Sequence, residues 1–99
     1  MRPAPGMIFS LRGQQDLRRI VERIAKGDPA AAEWFCVALI AKAESLAGTP
    51  EMGVPMRQSP GTRFFPHGSY LIIYRPDSAQ QTVRILRFWH WARGRRPLR

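Results

Sequence analysis

An α+β fold follows from three features of the sequence. A short apolar run near the N-terminus is followed by two consecutive stretches with helical period, meeting at Gly27-Asp28-Pro29. The remaining chain carries three β-branched and aromatic runs separated by Gly, Pro, Asp and Ser. Such runs bounded by turn residues are the signature of strands joined by hairpins. The expected order is β-α-α-β-β-β: an N-terminal strand and a two-helix hairpin packed on a small twisted, mostly antiparallel sheet. A chain of 99 residues forms one domain, 1–99, able to bury roughly two thirds of its extended surface.

Residues 1–6 contain two prolines and a glycine and read as a loose tail. Met7-Ile8-Phe9-Ser10 reads as the first strand. From Gly13 the period changes. Leu17, Ile20, Val21 and Ile24 fall at i, i+3, i+4 and i+7, one face of a helix, with Arg18, Arg19, Glu22 and Arg23 on the polar face. Gly27 is suited to a left-handed helix end. Asp28 then caps a second helix with Pro29 at its first position, where the missing N–H costs nothing. That helix is predicted from about Pro29 to Ala47. It carries two apolar stripes. Ala32, Phe35, Cys36, Leu39, Ala43 and Leu46 form one; Trp34, Val37, Ala38 and Ala41 form the other. A helix apolar on two sides needs cover on two sides, so the second stripe must find a partner or leave Trp34 exposed. The lone cysteine, Cys36, permits no internal disulfide and reads as a small buried hydrophobe.

Gly48 closes the second helix. A loop follows to Pro55, and Met56-Arg57-Gln58-Ser59 reads as a short edge strand. Gly61 to Pro66, Tyr70 to Arg75 and Thr82 to His90 are then expected as an antiparallel meander. Tyr70 to Tyr74 is apolar throughout and so reads as a central strand covered on both faces. Pro66 cannot donate to a ladder and belongs at a strand end or bulge. Alternation along the last strand places His90 with Leu86 and Phe88, and Arg87 with Trp89 opposite. Residues 94–99 read as a basic tail. Local patterning does not fix where the first strand pairs.

Charge is distributed unevenly. Residues 1–56 hold seven basic and six acidic side chains, whereas residues 57–99 hold nine arginines and a single acid, Asp77. Arginine forks onto phosphates and carboxylates, so this half points to an anionic partner, either nucleic acid or an acidic protein. The sequence has no 18-residue apolar run and no signal-peptide h-region, which makes a cytoplasmic protein without a membrane span the expectation. His67, His90 and Cys36 are too few and too scattered for a metal-ligand set, and no Gly-rich phosphate loop precedes a lysine. No cofactor is expected.

The ordered set Gly61-x-Arg63-x-Phe65-Pro66, Tyr70-x-Ile72-x-Tyr74-Arg75 and Val83-x-Ile85-x-Arg87-x-x-His90-x-Ala92-Arg93 resembles the RelE/ParE family of toxins from type II toxin–antitoxin modules. The last segment is more similar to the ParE branch, although Trp91 and Gly94 stand where that branch usually has Gly and Asp, departures that leave open a degenerate, non-toxic relative. Leu46-Ala47, Pro50 and Met52-Gly53 match a further family progression. The ParE resemblance implies a protein that inhibits DNA gyrase and is neutralised by a cognate antitoxin. Arg57, Arg63, Arg75, Arg87, Arg93 and Arg95 would then contact target or antitoxin, as would Trp34, Trp89 and Trp91. The RelE branch implies the alternative, a ribosome-dependent mRNA endonuclease that uses no metal. In that case Arg57, Arg63, Arg87 and Arg93 would supply charge and His90 would move the proton. No lysine follows Lys42 and no tyrosine follows Tyr74. Arginine stays protonated, so His90 is the one credible proton-transfer group for that reaction. Its competing role is structural, as a packed strand histidine. Core packing or partner cover is likewise expected of Trp89 and Trp91 before base stacking.

Overall fold

The computed structural model describes residues 6–91. The expected β-α-α-β-β-β order is observed, with a short edge strand before the final three. The elements are β1 (Met7–Phe9), α1 (Leu11–Gly27), α2 (Pro29–Gly48), a 3-10 turn (Pro50–Met52), β2 (Val54–Pro55), β3 (Arg63–His67), β4 (Tyr70–Asp77) and β5 (Thr82–His90). They build one five-stranded sheet in the order β1-β5-β4-β3-β2. β3, β4 and β5 form the antiparallel meander, and β1 adds in parallel to β5. β4 is the central strand, as its unbroken apolar run requires.

The core lies between the helices and the sheet. Ile20 from α1 and Leu39, Ala43 and Leu46 from α2 meet Ile72, Tyr74, Val83, Ile85 and Phe88. Leu17 and Ile24 pack at its margin. The first α2 stripe is thus the buried one. The second lies open, with Trp34 75% and Val37 53% exposed.

Ser10 sets the entry into α1. Its hydroxyl accepts from Gly13 N–H at 2.9 Å and donates to the Leu86 carbonyl at 2.9 Å. One side chain therefore caps the helix and ties it to β5. A Cβ on Gly13 would stand 2.9 Å from the Ile85 carbonyl, so glycine permits the close helix–strand approach. Asp28 serves both helices: its N–H bonds Ile24 at the end of α1, and its carboxylate caps Ala31 at the start of α2.

Four local expectations are corrected. Gly27 is the last helical residue and not a left-handed cap, because Asp28 closes the helix in an extended conformation. The edge strand is Val54–Pro55, not Met56–Ser59. Residues 56–62 instead form a turn closed by Met56 N–H to the Thr62 carbonyl at 2.8 Å. In β5 a bulge shifts the register opposite Ile73/Tyr74. Leu86 becomes the extra residue, so Val83 and Ile85, not Leu86, share the core face with Phe88. Pro66 sits inside β3 opposite Leu71, beyond the reach of β2, which ends its pairing at Phe64. One side of β3 is open there and needs no N–H. Of the predicted N-terminal tail only Gly6 is described, and its carbonyl accepts from Val83. The basic tail 94–99 lies outside the described residues.

Candidate functional site

The best-defined polar constellation sits on the open edge of β5. β1 pairs only as far as Ile85, which leaves Phe88 N–H without a strand partner. Asp16 of α1 fills that place. Its carboxylate accepts from Phe88 N–H at 3.0 Å and from Arg87 Nε and Nη at 2.7 and 3.3 Å. Arg87 also lies over the Trp89 ring, 5.3 Å from its centroid. Asp16 is buried on the apolar side of α1, in a helical turn otherwise occupied by Leu17 and Ile20. An acid on an apolar face is the signal that sequence reading passed over.

Above this pair a cleft of about 370 Å³ opens between α1 and the end of β5. Arg19, Arg23 and Lys26 line it from the helix, and Tyr70, Arg87 and His90 from the sheet. Arg23 donates to the Tyr70 hydroxyl. The His90 ring stands edge-on to Tyr70 with centroids 4.9 Å apart. His90 Nδ1 is buried and has no hydrogen-bond partner among the described residues.

A second constellation braces the loop after α2. The buried Tyr74 hydroxyl donates to the Pro50 carbonyl at 2.7 Å and accepts from Gly53 N–H at 2.8 Å. Burial pushes its pKa above the ordinary 10.0, against the lowering effect of the Gly53 N–H and the Arg63 charge. A Cβ at Gly53 would fall on the Tyr74 hydroxyl, which explains glycine in Met52-Gly53. Arg63 donates to the Gly53 carbonyl at 2.6 Å. Arg75 donates to the buried Thr62 hydroxyl at 3.0 Å, and Thr62 also bonds Ser59.

Of the predicted site residues, Arg87, Trp89 and His90 line the one cleft between α1 and β5, and the other described ones lie elsewhere. Arg63 and Arg75 hold a loop at one end of the sheet, and Arg87 holds α1 at the other. Arg57 is exposed on the 56–62 turn. Trp91 is 49% exposed, and its indole N–H and backbone N–H bond Gly68 and Ser69, tying β5 to the β3–β4 turn. Trp34 stands apart on α2. Arg93 and Arg95 lie outside the described residues. Sequence reading missed Asp16 as a partner for Arg87, and it missed Arg23 and Lys26, whose helical spacing from Arg19 was nevertheless visible. Arg84, also unassigned, pairs directly opposite Arg75 across β4 and β5. Opposed like charges of this kind are destabilising in a sheet.

The sequence matches the model of the ParE toxin of type II toxin–antitoxin systems, parDE, over residues 7–94. The chain belongs to this family. Its fold is similar to that of a chromosomal ParDE toxin–antitoxin system from P. aeruginosa, with a TM-score of 0.73 at 16% identity over 86% of this chain and 94% of that one. It is also similar to the RelBE2 toxin–antitoxin complex of Mycobacterium tuberculosis, with a TM-score of 0.65 at 29% identity over 85% and 94% of the two chains. No curated protein matches the sequence. Among the described residues of this ParE-family chain, no helix is long and apolar enough to cross a membrane.

Proposed function

We propose that this ParE-family toxin acts by gripping a protein target, DNA gyrase, and is silenced by a cognate antitoxin. The placement of His90 carries the reading. Cleaving RNA with side chains alone requires a group that can reach the 2′-hydroxyl proton. His90 lines the cleft, but its ring is packed edge-on against Tyr70 and its Nδ1 is buried. The two tyrosine hydroxyls are engaged with Arg23 and with the Pro50–Gly53 loop. Arg63, Arg75 and Arg87 brace the fold through carbonyl, hydroxyl and carboxylate partners.

Surface charge and apolar cover remain for recognition. Arg57 and Arg84 are exposed, and the sequence places Arg93 and Arg95 just beyond His90. The opposed Arg75 and Arg84 favour an anionic partner that relieves their repulsion. Trp34 and Val37 offer an apolar face of the kind that marks protein contact. The antitoxin is read as an acidic segment that folds along this surface.

The second reading, a ribosome-dependent mRNA endonuclease of RelE type, is favoured by one observation. The RelBE2 neighbour shares more sequence with this chain than the ParDE neighbour does. Pulse-labelling after induction separates the two. The gyrase reading predicts that DNA synthesis stops first. Arrest of protein synthesis first, with cut mRNA on ribosomes, contradicts it.

A further inference from the structure

The cleft between α1 and β5 is built for an anion with an apolar stem. Arg19, Arg23 and Lys26 stand at i, i+4 and i+7 and form a basic ladder along its helix side. Ile20 and Phe88, both buried, give it an apolar floor. Arg87 lines the opposite wall. Two of these arginines are held in place before any ligand arrives: Arg23 by the Tyr70 hydroxyl, and Arg87 by Asp16 and the Trp89 ring. A guanidinium carries five N–H donors. Arg23 gives one to Tyr70 and Arg87 gives two to Asp16, so each retains donors for a further acceptor. Fixing a cation in advance removes much of the ordering cost of binding.

The lining also selects against a polyanion. Two carboxylates, Asp16 and Glu22, stand in the same cleft. They offset part of the charge of Arg19, Arg23, Lys26 and Arg87, which suits a single anionic group better than a run of phosphates, and the apolar floor offers a phosphodiester strand nothing. A single carboxylate on an aliphatic stem matches both parts of the lining. The cationic rim takes the charge and the floor takes the methylenes and neighbouring apolar side chains.

We infer that this cleft receives a glutamate or aspartate from an amphipathic segment of the antitoxin, with the carboxylate held by Arg23 and the α1 ladder. The inference rests on the antitoxin reading above and names the slot. It is distinct from the exposed Trp34 face and from the arginines on β3 and β4.

The test uses the full-length toxin and its purified cognate antitoxin, titrated by calorimetry at low and moderate salt. A short oligouridylate serves as the comparison ligand. Arg23→Gln is expected to weaken antitoxin binding by roughly 10- to 100-fold, the scale of a charge-assisted hydrogen bond, with a shallower salt dependence. Tyr70→Phe, which frees Arg23 but keeps its charge, is expected to lose less. Arg12→Gln, exposed at the start of α1 and outside the cleft, is expected to bind as the parent does. Melting curves confirm that each variant is folded. Unchanged antitoxin affinity in folded Arg23→Gln overturns the inference while leaving the antitoxin reading intact. No binding by the parent protein overturns both. Loss of oligouridylate affinity with antitoxin affinity retained assigns the cleft to nucleic acid and overturns the inference.

Discussion

Replacing Asp16 with alanine isolates the contact that joins α1 to the open edge of β5. Two costs arise. Phe88 N–H loses its acceptor in a buried position, worth about 1–3 kcal/mol. Arg87 loses its counter-ion. Breaking a buried pair costs ~3–5 kcal/mol, but the Arg87 side chain is 24% exposed and water can solvate part of it, which reduces that share to about 1–2 kcal/mol. The sum centres near ~3 kcal/mol, a large fraction of the ~5–15 kcal/mol of an ordinary domain. For a chain of this length it corresponds to a fall in Tm of roughly 12–24 °C. Asp16→Asn keeps an oxygen for Phe88 N–H and forfeits only the charge, so it should cost about 1–2 kcal/mol. Urea denaturation of the three proteins gives the ordering directly. An Asp16→Ala protein within ~0.5 kcal/mol of the parent, or equal losses for Asn and Ala, would refute the edge-capping argument.

Three further outcomes follow from the core and the Tyr74 brace. Ile20→Asp places an unpaired charge at a buried position and should abolish cooperative unfolding; a soluble, sharply melting variant would show that this face of α1 is not core. Gly53→Ala needs no unusual backbone angle, since Gly53 has φ of −78°, so its cost is the overlap with Tyr74, about 2–4 kcal/mol by chemical denaturation. Tyr74 is protonated more tightly in the folded protein than its ordinary pKa of 10.0, so folding stability is fully present below pH 10 and falls as pH rises through the folded pKa. Absorbance titration of tyrosinate should show Tyr74 ionising above pH 10 together with loss of structure, a component absent from Tyr74→Phe.

The helices and the meander were legible because each announces itself through local period. The α1 stripe around Ile20, the Asp28-Pro29 restart and the apolar run of β4 depend on near neighbours only. The parallel pairing of β1 was not legible, because it joins Met7 to Val83 across most of the chain. The edge strand was misplaced by two residues. The Met56–Thr62 turn, closed by Ser59 and Thr62 hydroxyls, takes up the segment that looked extended. The bulge at Leu86 arises from pairing with β4 and leaves no mark in the β5 sequence itself. The arginines were hardest to sort. Arg63, Arg75, Arg84 and Arg87 look alike in a strand pattern. Whether one braces the fold or faces solvent depends on Gly53, Thr62 or Asp16 arriving from elsewhere in the chain. Asp16 could have been found, since it interrupts an apolar face. The exposed α2 stripe was legible as a surface needing cover, and Trp34 remains uncovered.

The most direct test of a toxin that grips rather than cuts compares two folded variants for growth arrest, gyrase supercoiling and ribosome-bound mRNA cleavage. General acid–base catalysis supplies ~10²–10⁴-fold, so a nuclease should lose activity by that order in His90→Ala. A gripping toxin should keep its potency in His90→Ala apart from any loss of stability. It should lose potency in Arg93→Glu, because like charge at an interface costs several kcal/mol. The account predicts a toxic, gyrase-inhibiting His90→Ala protein and a harmless Arg93→Glu protein. mRNA cleavage that survives Arg93→Glu and disappears in folded His90→Ala would contradict it.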